Sequence, residues 1–317
     1  MKRILIFNVI GEDMKRIFAS IALILSALLL TAGCAVQTQE SDKLQIVATI
    51  FPPYDFTRQI AADKADITLL IRPGTDMHTY EPTVQDMEAV QNADLFIYNG
   101  GESDKWAEQL LQSVSNEPAV LAMTDCTQML QEEHDHEIHG QPEYDEHVWT
   151  SPMNAIKIAE AIRDELCALD EANADFYTRN AEEYVVQLRE LDDLFRSVTE
   201  NAQRRTVVFA DKFPFRYLAE EYGLECYAAF PGCSEQSEPS VATVASIIDK
   251  VKADGIPAVF YIEMSNQKMA DSVCQATGAA KLQLHSCHTL TAEEFRSGQT
   301  YISIMTQNAE NLRIALN

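Results

Sequence analysis

The sequence predicts an α/β protein with two lobes, each built on a small, mostly parallel sheet flanked by helices, and joined by one long rigid helix. Short apolar runs typical of buried strands alternate with helical patterns up to about residue 150, and the alternation resumes after residue 203. Residues 152–200 carry no strand pattern, and apolar residues recur there at helical spacing. Because parallel strands need crossover connections, each alternating region predicts one sheet, and two such lobes leave a cleft between them.

The strand-like runs set the limits of the lobes. The first lobe is predicted at 44–150, with strands at 44–50, 67–71, 95–100 and 119–123. Linking helices follow at 151–202, where Tyr184, Leu188, Leu191 and Phe195 recur at helical spacing. The second lobe is predicted at 203–317, with strands at 206–210, 226–230, 258–263 and 281–285.

The N-terminus has the pattern of an export signal. Lys15 and Arg16 precede an apolar run at 17–30, and the small-residue stretch LTAGC ends at Cys34. This resembles a bacterial lipoprotein signal, which implies that Cys34 is lipidated and begins the mature chain. An ordinary cleaved signal is the alternative. We interpret 1–13 as an upstream misassigned start and the polar stretch 35–43 as a tether.

Composition narrows the class of protein. The chain has 317 residues with 46% hydrophobic content, enough for a sizeable core, and its 24 Lys and Arg against 49 Asp and Glu give a formal net charge of −25. Such a charge repels polyanions, which argues against nucleic acid as a partner and suits a surface that handles cations. The sequence has no GxSxG, no HExxH and no Gly-rich phosphate loop.

Histidines are concentrated in one acidic stretch. Residues 132–152, EEHDHEIHGQPEYDEHVWTSP, hold four of the seven histidines in the chain. Histidine binds zinc well when neutral, and short His-rich tracts are typical of metal handling. The stretch predicts a His-rich loop at 131–147; the alternative is a solvated acidic loop that happens to contain histidine.

Four candidate ligands follow strand or lobe endings, where open parallel sheets bind their ligands. They could converge from both lobes on one ion in the cleft, and they are His78, His147, Asp211 and His285. Each has a structural alternative: a braced turn for His78, a packed ring for His147 and a helix N-cap for Asp211. His285 also has a competitor, His288, in the run HSCH.

Several motifs together carry a family resemblance. The pieces GTDMHTYEPT, YNGGESDKWAEQLL, DEHVWTSPMNA, PFRYLAEEYGL, SEPS and QNAENL occur in order across about residues 44–317. The chain resembles the solute-binding lipoproteins and periplasmic proteins that feed zinc and manganese ABC importers. The resemblance implies two α/β lobes joined by a rigid helix, with the metal held between them.

The resemblance also implies roles for individual residues. His78 and His147 match the first and second histidine ligands of that family. The third position, aligned without a gap on FRYL, is Lys212, whose ammonium cannot ligate, so a shift of one residue would be needed to bring Asp211 to the metal. The fourth position is commonly Asp in the family and appears here as His285.

The resemblance favours zinc as the bound metal, with manganese as the alternative. Three imidazoles and one carboxylate suit four-coordinate zinc, whereas manganese prefers oxygen-rich, six-coordinate sites. Zinc members of the family often carry a His-rich acidic loop at this place. We therefore expect an auxiliary metal-collecting loop formed by His134, His136 and His139, separate from the fixed site.

These observations predict a protein that is not an enzyme. We expect an extracytoplasmic, monomeric lipoprotein, attached to the membrane only through its lipid, that captures zinc and delivers it to the membrane permease of an ABC importer. A surface adhesin is one alternative, and a zinc hydrolase with Glu263 as its base is the least favoured. The six cysteines beyond Cys34 allow 15 disulfide connectivities, among which the sequence does not choose. Short loops favour Cys226 with Cys233 and Cys274 with Cys287, and an unpaired Cys287 could offer a thiolate.

Overall fold

Two four-stranded parallel sheets form the framework of the protein. The structure is a computed structural model that describes residues 43–75, 80–131, 144–230 and 240–317. The strands within these ranges are β1 (Leu44–Ala48), β2 (Ala65–Leu69), β3 (Leu95–Tyr98), β4 (Ala119–Ala122), β5 (Leu130–Gln131), β6 (Tyr144–Asp145), β7 (Thr206–Phe209), β8 (Glu225–Ala228), β9 (Ala258–Tyr261) and β10 (Ala280–Gln283).

The two sheets have the same topology. The strand order is β2-β1-β3-β4 in the first and β8-β7-β9-β10 in the second, so each places its first strand beside its second and third. All pairs within these sheets are parallel. Their carboxyl ends therefore lie at one edge of each sheet, where the candidate ligands were predicted. A separate antiparallel pair, β5 with β6, leads to the His147 segment.

Helices cover the sheets and connect the lobes. Within the described residues they are α1 (Phe51–Ala61), α2 (Val84–Gln91), α3 (Lys105–Ser113), α4 (Pro152–Leu169), α5 (Ala174–Glu200), α6 (Arg216–Tyr222), α7 (Val241–Asp254), α8 (Lys268–Thr277), α9 (Ala292–Arg296) and α10 (Tyr301–Leu316).

Two helices, rather than one, run between the sheets. Ser151 caps α4 by accepting a hydrogen bond from the backbone N–H of Asn154, and Pro152 occupies the first helical position. The chain leaves the helical conformation at Asp170, whose carboxylate accepts from Asn173 and from the Tyr177 hydroxyl, and α5 begins four residues later. The two helices pack side by side and share one core.

The helical spacing predicted for α5 is confirmed by its burial. Tyr184, Leu188, Leu191 and Phe195 are all buried and belong to the largest apolar cluster, which also includes residues of both sheets. Fixing 27 helical residues is favourable here because one face of the helix is removed from water along most of its length.

Direct contacts join the first lobe to the C-terminal helix. The buried Asp55 carboxylate of α1 accepts from the backbone N–H of Tyr301 at 2.6 Å. Arg58 donates to the carbonyl of Gln299, and the Phe56 and Tyr301 rings meet edge to face at 5.0 Å. Helix α10 is therefore anchored to both lobes.

The predicted fold class is confirmed by the two helix-flanked parallel sheets and the long helix between them. The domain limits drawn from the sequence stay predictions. The signal, the tether and Cys34 lie outside the described residues. Along the described part of the chain, no helix combines the length and apolar character needed to span a bilayer.

Candidate metal centre

His147 lies in a buried turn directly after β6. Its side chain is 2% exposed, and both its backbone N–H and its Nδ1 contact Oδ1 of Asp145, at 2.8 and 2.9 Å. A carboxylate at Nδ1 keeps the proton on that nitrogen and leaves the lone pair on Nε2, the arrangement that prepares a histidine to bind a metal.

Asp145 is well suited to this role. Burial raises the pKa of the Asp145 carboxyl, but His147 and Arg216 lower it by more, so the net pKa is below its ordinary value. The carboxylate is therefore ionised around neutral pH and can orient the imidazole.

His288 of the second lobe lies beside His147 of the first. The two imidazole rings have centroids 5.5 Å apart and are nearly perpendicular, at 86°. The indole of Trp149 contacts both rings, at 5.4 Å from each. The half-buried His288 is thus the histidine of the HSCH run that reaches the interlobe position.

His285 occupies a different, enclosed position. It is 4% exposed, its Nδ1 accepts from the backbone N–H of Cys287 at 2.9 Å, and its Nε2 lies 3.9 Å from Oε1 of Glu294. Burial lowers the pKa of His285, but Glu263 and Glu294 raise it by more, so the net pKa is above its ordinary value. Because Nδ1 accepts from the backbone N–H of Cys287, the neutral ring carries its proton on Nε2, which faces Glu294.

The turn after His285 explains why His288 points towards His147. Strand β10 ends at Gln283, two residues before His285, and Cys287 has a φ of 62°, which is uncommon for a residue with a side chain. This reversal separates the two histidines of HSCH. The sequence offered both as alternatives, and no local signal distinguishes them, because a left-handed cysteine cannot be read from residue type.

Asp211 and Lys212 lie at the end of β7, in the second lobe. The Asp211 carboxylate accepts from the backbone N–H groups of Lys212 at 2.9 Å and Ile262 at 3.3 Å. Both residues line a cavity of about 360 Å³ together with residues that follow β9 and begin α8. The carboxylate therefore joins two strand ends, and its role as a metal ligand stays a prediction that this geometry does not favour.

The contacts of Glu263 are those of a structural carboxylate and do not suit a hydrolytic base. Its carboxylate is buried and accepts from both the backbone N–H and the hydroxyl of Ser286. A general base needs access to the water that it activates, and these two donors occupy its oxygens.

The cysteines near the site do not provide a ligand or a disulfide. Cys274 and Cys287 are both free thiols, so their predicted pairing is wrong. Cys287 is fully buried, and burial raises the pKa of its thiol well above the ordinary value, which disfavours the thiolate that zinc needs. Cys226 is free, and Cys233 lies outside the described residues.

The remaining predicted ligands also lie outside the described residues. They are His78 and the three loop histidines, His134, His136 and His139. Across the residues that the structure does describe, no group of three or more His, Cys, Asp or Glu side chains is arranged to hold a metal ion. Within that part of the chain, His147 and His288 are two histidines that come together from the two lobes.

Comparison with known proteins identifies the family. Residues 46–315 match the family described as zinc-uptake complex component A, periplasmic. The chain belongs to this family. The resemblance expected from the sequence motifs is thereby confirmed.

Relatives that are 30% or more identical to this protein align with most of its chain. The zinc-binding lipoprotein AdcA of Streptococcus pneumoniae strain R6 is 34% identical over 92% of this chain, which spans 60% of the length of AdcA. The high-affinity zinc uptake system protein ZnuA of Bacillus subtilis is 32% identical over 94% of this chain and 98% of its own length.

Solved structures of family members share the fold. The Zn(II)-bound ZnuA-like domain of S. pneumoniae AdcA matches with a TM-score of 0.74 at 32% identity, over 86% of this chain and 99% of that domain. The metal-dependent lipoprotein YcdH of B. subtilis matches with a TM-score of 0.75 at 31% identity, over 87% and 100%.

Proposed function

We propose that this protein is an extracytoplasmic solute-binding protein that captures zinc between its lobes and delivers it to an ABC importer. The observation that carries the proposal is the approach of His147 and His288 from opposite lobes, 5.5 Å apart between ring centroids. Two imidazoles that share one tetrahedral zinc have centroids about 5 Å apart, given Zn–N distances of roughly 2 Å.

The proposed ligands are His78, His147 and His288. His147 is supported by the carboxylate that holds its Nδ1, and His288 by its position beside His147. His78 is supported by its motif, DMHTYEP, at the end of the segment that follows β2. His285 remains a weaker alternative to His288, and Asp211 a weaker candidate for the fourth donor.

This donor set favours zinc over manganese. Neutral imidazole nitrogens suit a four-coordinate zinc ion, while manganese prefers more oxygen ligands and a higher coordination number. The names of the relatives, zinc-binding lipoprotein and zinc uptake system protein, point to the same cargo. His134, His136 and His139 are proposed as an auxiliary loop that collects metal near the site.

Transport rather than catalysis is the activity that we infer. A member of a zinc-uptake complex family needs a membrane permease as its partner, and the Glu263 carboxylate, the base that a hydrolase would use, is held by two donors of Ser286. We further propose that Cys34 carries the lipid anchor and that the protein works as a monomer.

Adhesion is a second candidate function. The laminin-binding protein Lmb of Streptococcus agalactiae, described as bifunctional with adhesin and metal transporting activity, matches with a TM-score of 0.76 at 26% identity. Loss of growth in zinc-depleted medium on deletion of the gene, restored by added zinc, would support transport; unchanged growth with lost attachment would support adhesion.

Competitive metal titration tests the proposed cargo. The chain from Ala35 onward, stripped with a chelator, is titrated with zinc in the presence and absence of excess manganese. One tightly bound zinc per chain that manganese does not displace is the expected result. A preference for manganese would indicate that oxygen donors control the site, and the absence of tight metal binding would refute the proposed function.

A further inference from the structure

Ser286 connects the two lobes at the metal centre. Its carbonyl accepts from Nε1 of Trp149 at 2.7 Å, and Trp149 lies two residues after His147 in the first lobe. Its hydroxyl accepts from the backbone N–H of His288 at 3.2 Å in the second lobe. One residue, 1% exposed, is therefore bonded to both segments that carry the paired histidines.

Glu263 fixes Ser286 in this position. The carboxylate accepts the backbone N–H of Ser286 at 2.8 Å on Oε2 and the Ser286 hydroxyl on Oε1. Because the hydroxyl has one proton and donates it to Glu263, its oxygen lone pair is directed to the N–H of His288. The charged acceptor makes these bonds stronger than bonds between neutral groups.

The turn needs this support because its backbone is strained. Cys287, between Ser286 and His288, has a φ of 62°, a conformation that is unfavourable for a residue with a Cβ and persists only where surrounding contacts impose it. The backbone N–H of Cys287 donates to Nδ1 of His285, and the backbone N–H of His288 donates to Oγ of Ser286. These two bonds hold the chain in the conformation that turns His288 towards His147.

Trp149 completes the connection from the first lobe. Its indole is fully buried and lies 5.4 Å from the rings of both His147 and His288, and its carbonyl accepts from the Tyr301 hydroxyl at 2.7 Å. The indole N–H therefore ties the His147 turn to Ser286 at a fixed distance.

We propose that Ser286, held by Glu263 and Trp149, is a positioning residue that sets the placement of His288 relative to His147. The role in metal binding rests on the proposed function, whereas the placement itself can be measured without metal. Supporting residues of this kind typically change metal affinity by about 10- to 100-fold when they are removed.

The test compares Ser286→Ala with Ser286→Thr, which keeps a hydroxyl. Thr199→Ala is the matched control, because its hydroxyl is also buried and donates to the carbonyl of Phe195 in α5. Zinc affinity, the electronic spectrum of bound Co²⁺ and thermal unfolding are measured for all three. We expect Ser286→Ala to lose about 10- to 100-fold in zinc affinity, with an altered Co²⁺ spectrum, and we expect Ser286→Thr to recover most of both.

A measurement on the metal-free protein separates this proposal from the proposed function. The nuclear Overhauser effect between the imidazoles of His147 and His288 should be present in the wild type and in Thr199→Ala and weakened in Ser286→Ala. If it is unchanged in Ser286→Ala, the positioning role is refuted, whatever the metal titration gives. If it weakens while the wild type binds no zinc, the positioning role stands and the proposed function fails. An equal loss of zinc affinity in Thr199→Ala would show a general stability effect and overturn the proposal.

Discussion

The protein has two histidine-bearing turns, one in each lobe, and they differ in the group that contacts Nδ1 of His147 in the first and of His285 in the second. His147 faces the Asp145 carboxylate with Nδ1, so the proton stays there and Nε2 keeps its lone pair. His285 faces the backbone N–H of Cys287 with Nδ1, which occupies the lone pair. The group that contacts Nδ1 therefore differs between His147, the proposed ligand, and His285, whose ring holds a turn.

Removing the proposed ligands gives the largest expected effect and tests this comparison directly. His147→Ala and His288→Ala should each weaken zinc binding by more than about 100-fold, the upper end for merely supporting residues. His285→Gln should cost less than about tenfold in affinity, and its main effect should be on thermal stability. Isothermal titration with a competing chelator measures all three. Strong zinc binding by His288→Ala together with its loss in His285→Gln would reverse our assignment.

Asp145→Asn changes the orienting group without removing a ligand. The amide can still accept at His147 but carries no charge, so zinc affinity should fall by about 10- to 100-fold. Asp192→Asn is the control, since Asp192 is a buried carboxylate in α5 that pairs with Arg196 and Tyr222. Equal affinities for Asp145→Asn and the wild type would mean that His147 needs no charged partner.

Asp211→Asn tests whether the end of β7 contributes a donor. Its oxygens accept backbone N–H groups, so we expect less than a threefold change in zinc affinity. Lys212→Ala should be similarly mild, because an ammonium cannot bind zinc. A loss of more than about tenfold for Asp211→Asn alone would restore Asp211 to the ligand set.

The second turn should also contribute a pH dependence of stability through Glu294. His285 holds the pKa of the Glu294 carboxyl down to about 2 from an ordinary value of 4.5. A depressed acid pKa contributes stability that is complete above pH 4.5 and lost as the pH falls towards 2. Glu294→Gln should remove this part of the acid dependence, by less than about 1 kcal/mol since Glu294 is partly exposed. Urea unfolding of both proteins between pH 2 and 6 measures it, and parallel profiles would contradict it.

Deleting residues 132–140 should have the smallest effect on the tight site. The expected result is one tightly bound zinc with unchanged affinity and fewer weakly bound ions per chain, measured by equilibrium dialysis. Loss of the tight ion would show that the loop supplies a ligand of the fixed site.

The sequence predicted the framework of the protein well because hydrophobic periodicity carries that information. All eight strands of the two sheets lie within two residues of the predicted runs at their starts, and the apolar spacing of α5 matches its buried face. The position of the break between the linking helices α4 and α5 was not predicted, because Asp170 ends the first helix through side-chain hydrogen bonds, without a Gly or Pro to mark it.

The candidate site was only partly predictable from the sequence. His147 could be placed at the lobe boundary by its position after the strands. Which of His285 and His288 lies beside His147 depends on the positive φ of Cys287. Whether the Asp211 carboxylate is available to a metal depends on which backbone N–H groups donate to it. Neither feature follows from residue type or spacing.

The free thiols affect how much zinc the protein binds at sites other than the proposed one. Burial raises the pKa of Cys126 to about 11 and of Cys226 to about 12, and it raises that of Cys274 and Cys287 as well. Zinc binds the thiolate, so a metal ion at any of these sulfurs must first displace a tightly held proton. These four cysteines are therefore poor competitors for metal at neutral pH, and stray occupancy at sulfur should stay low even when zinc is abundant.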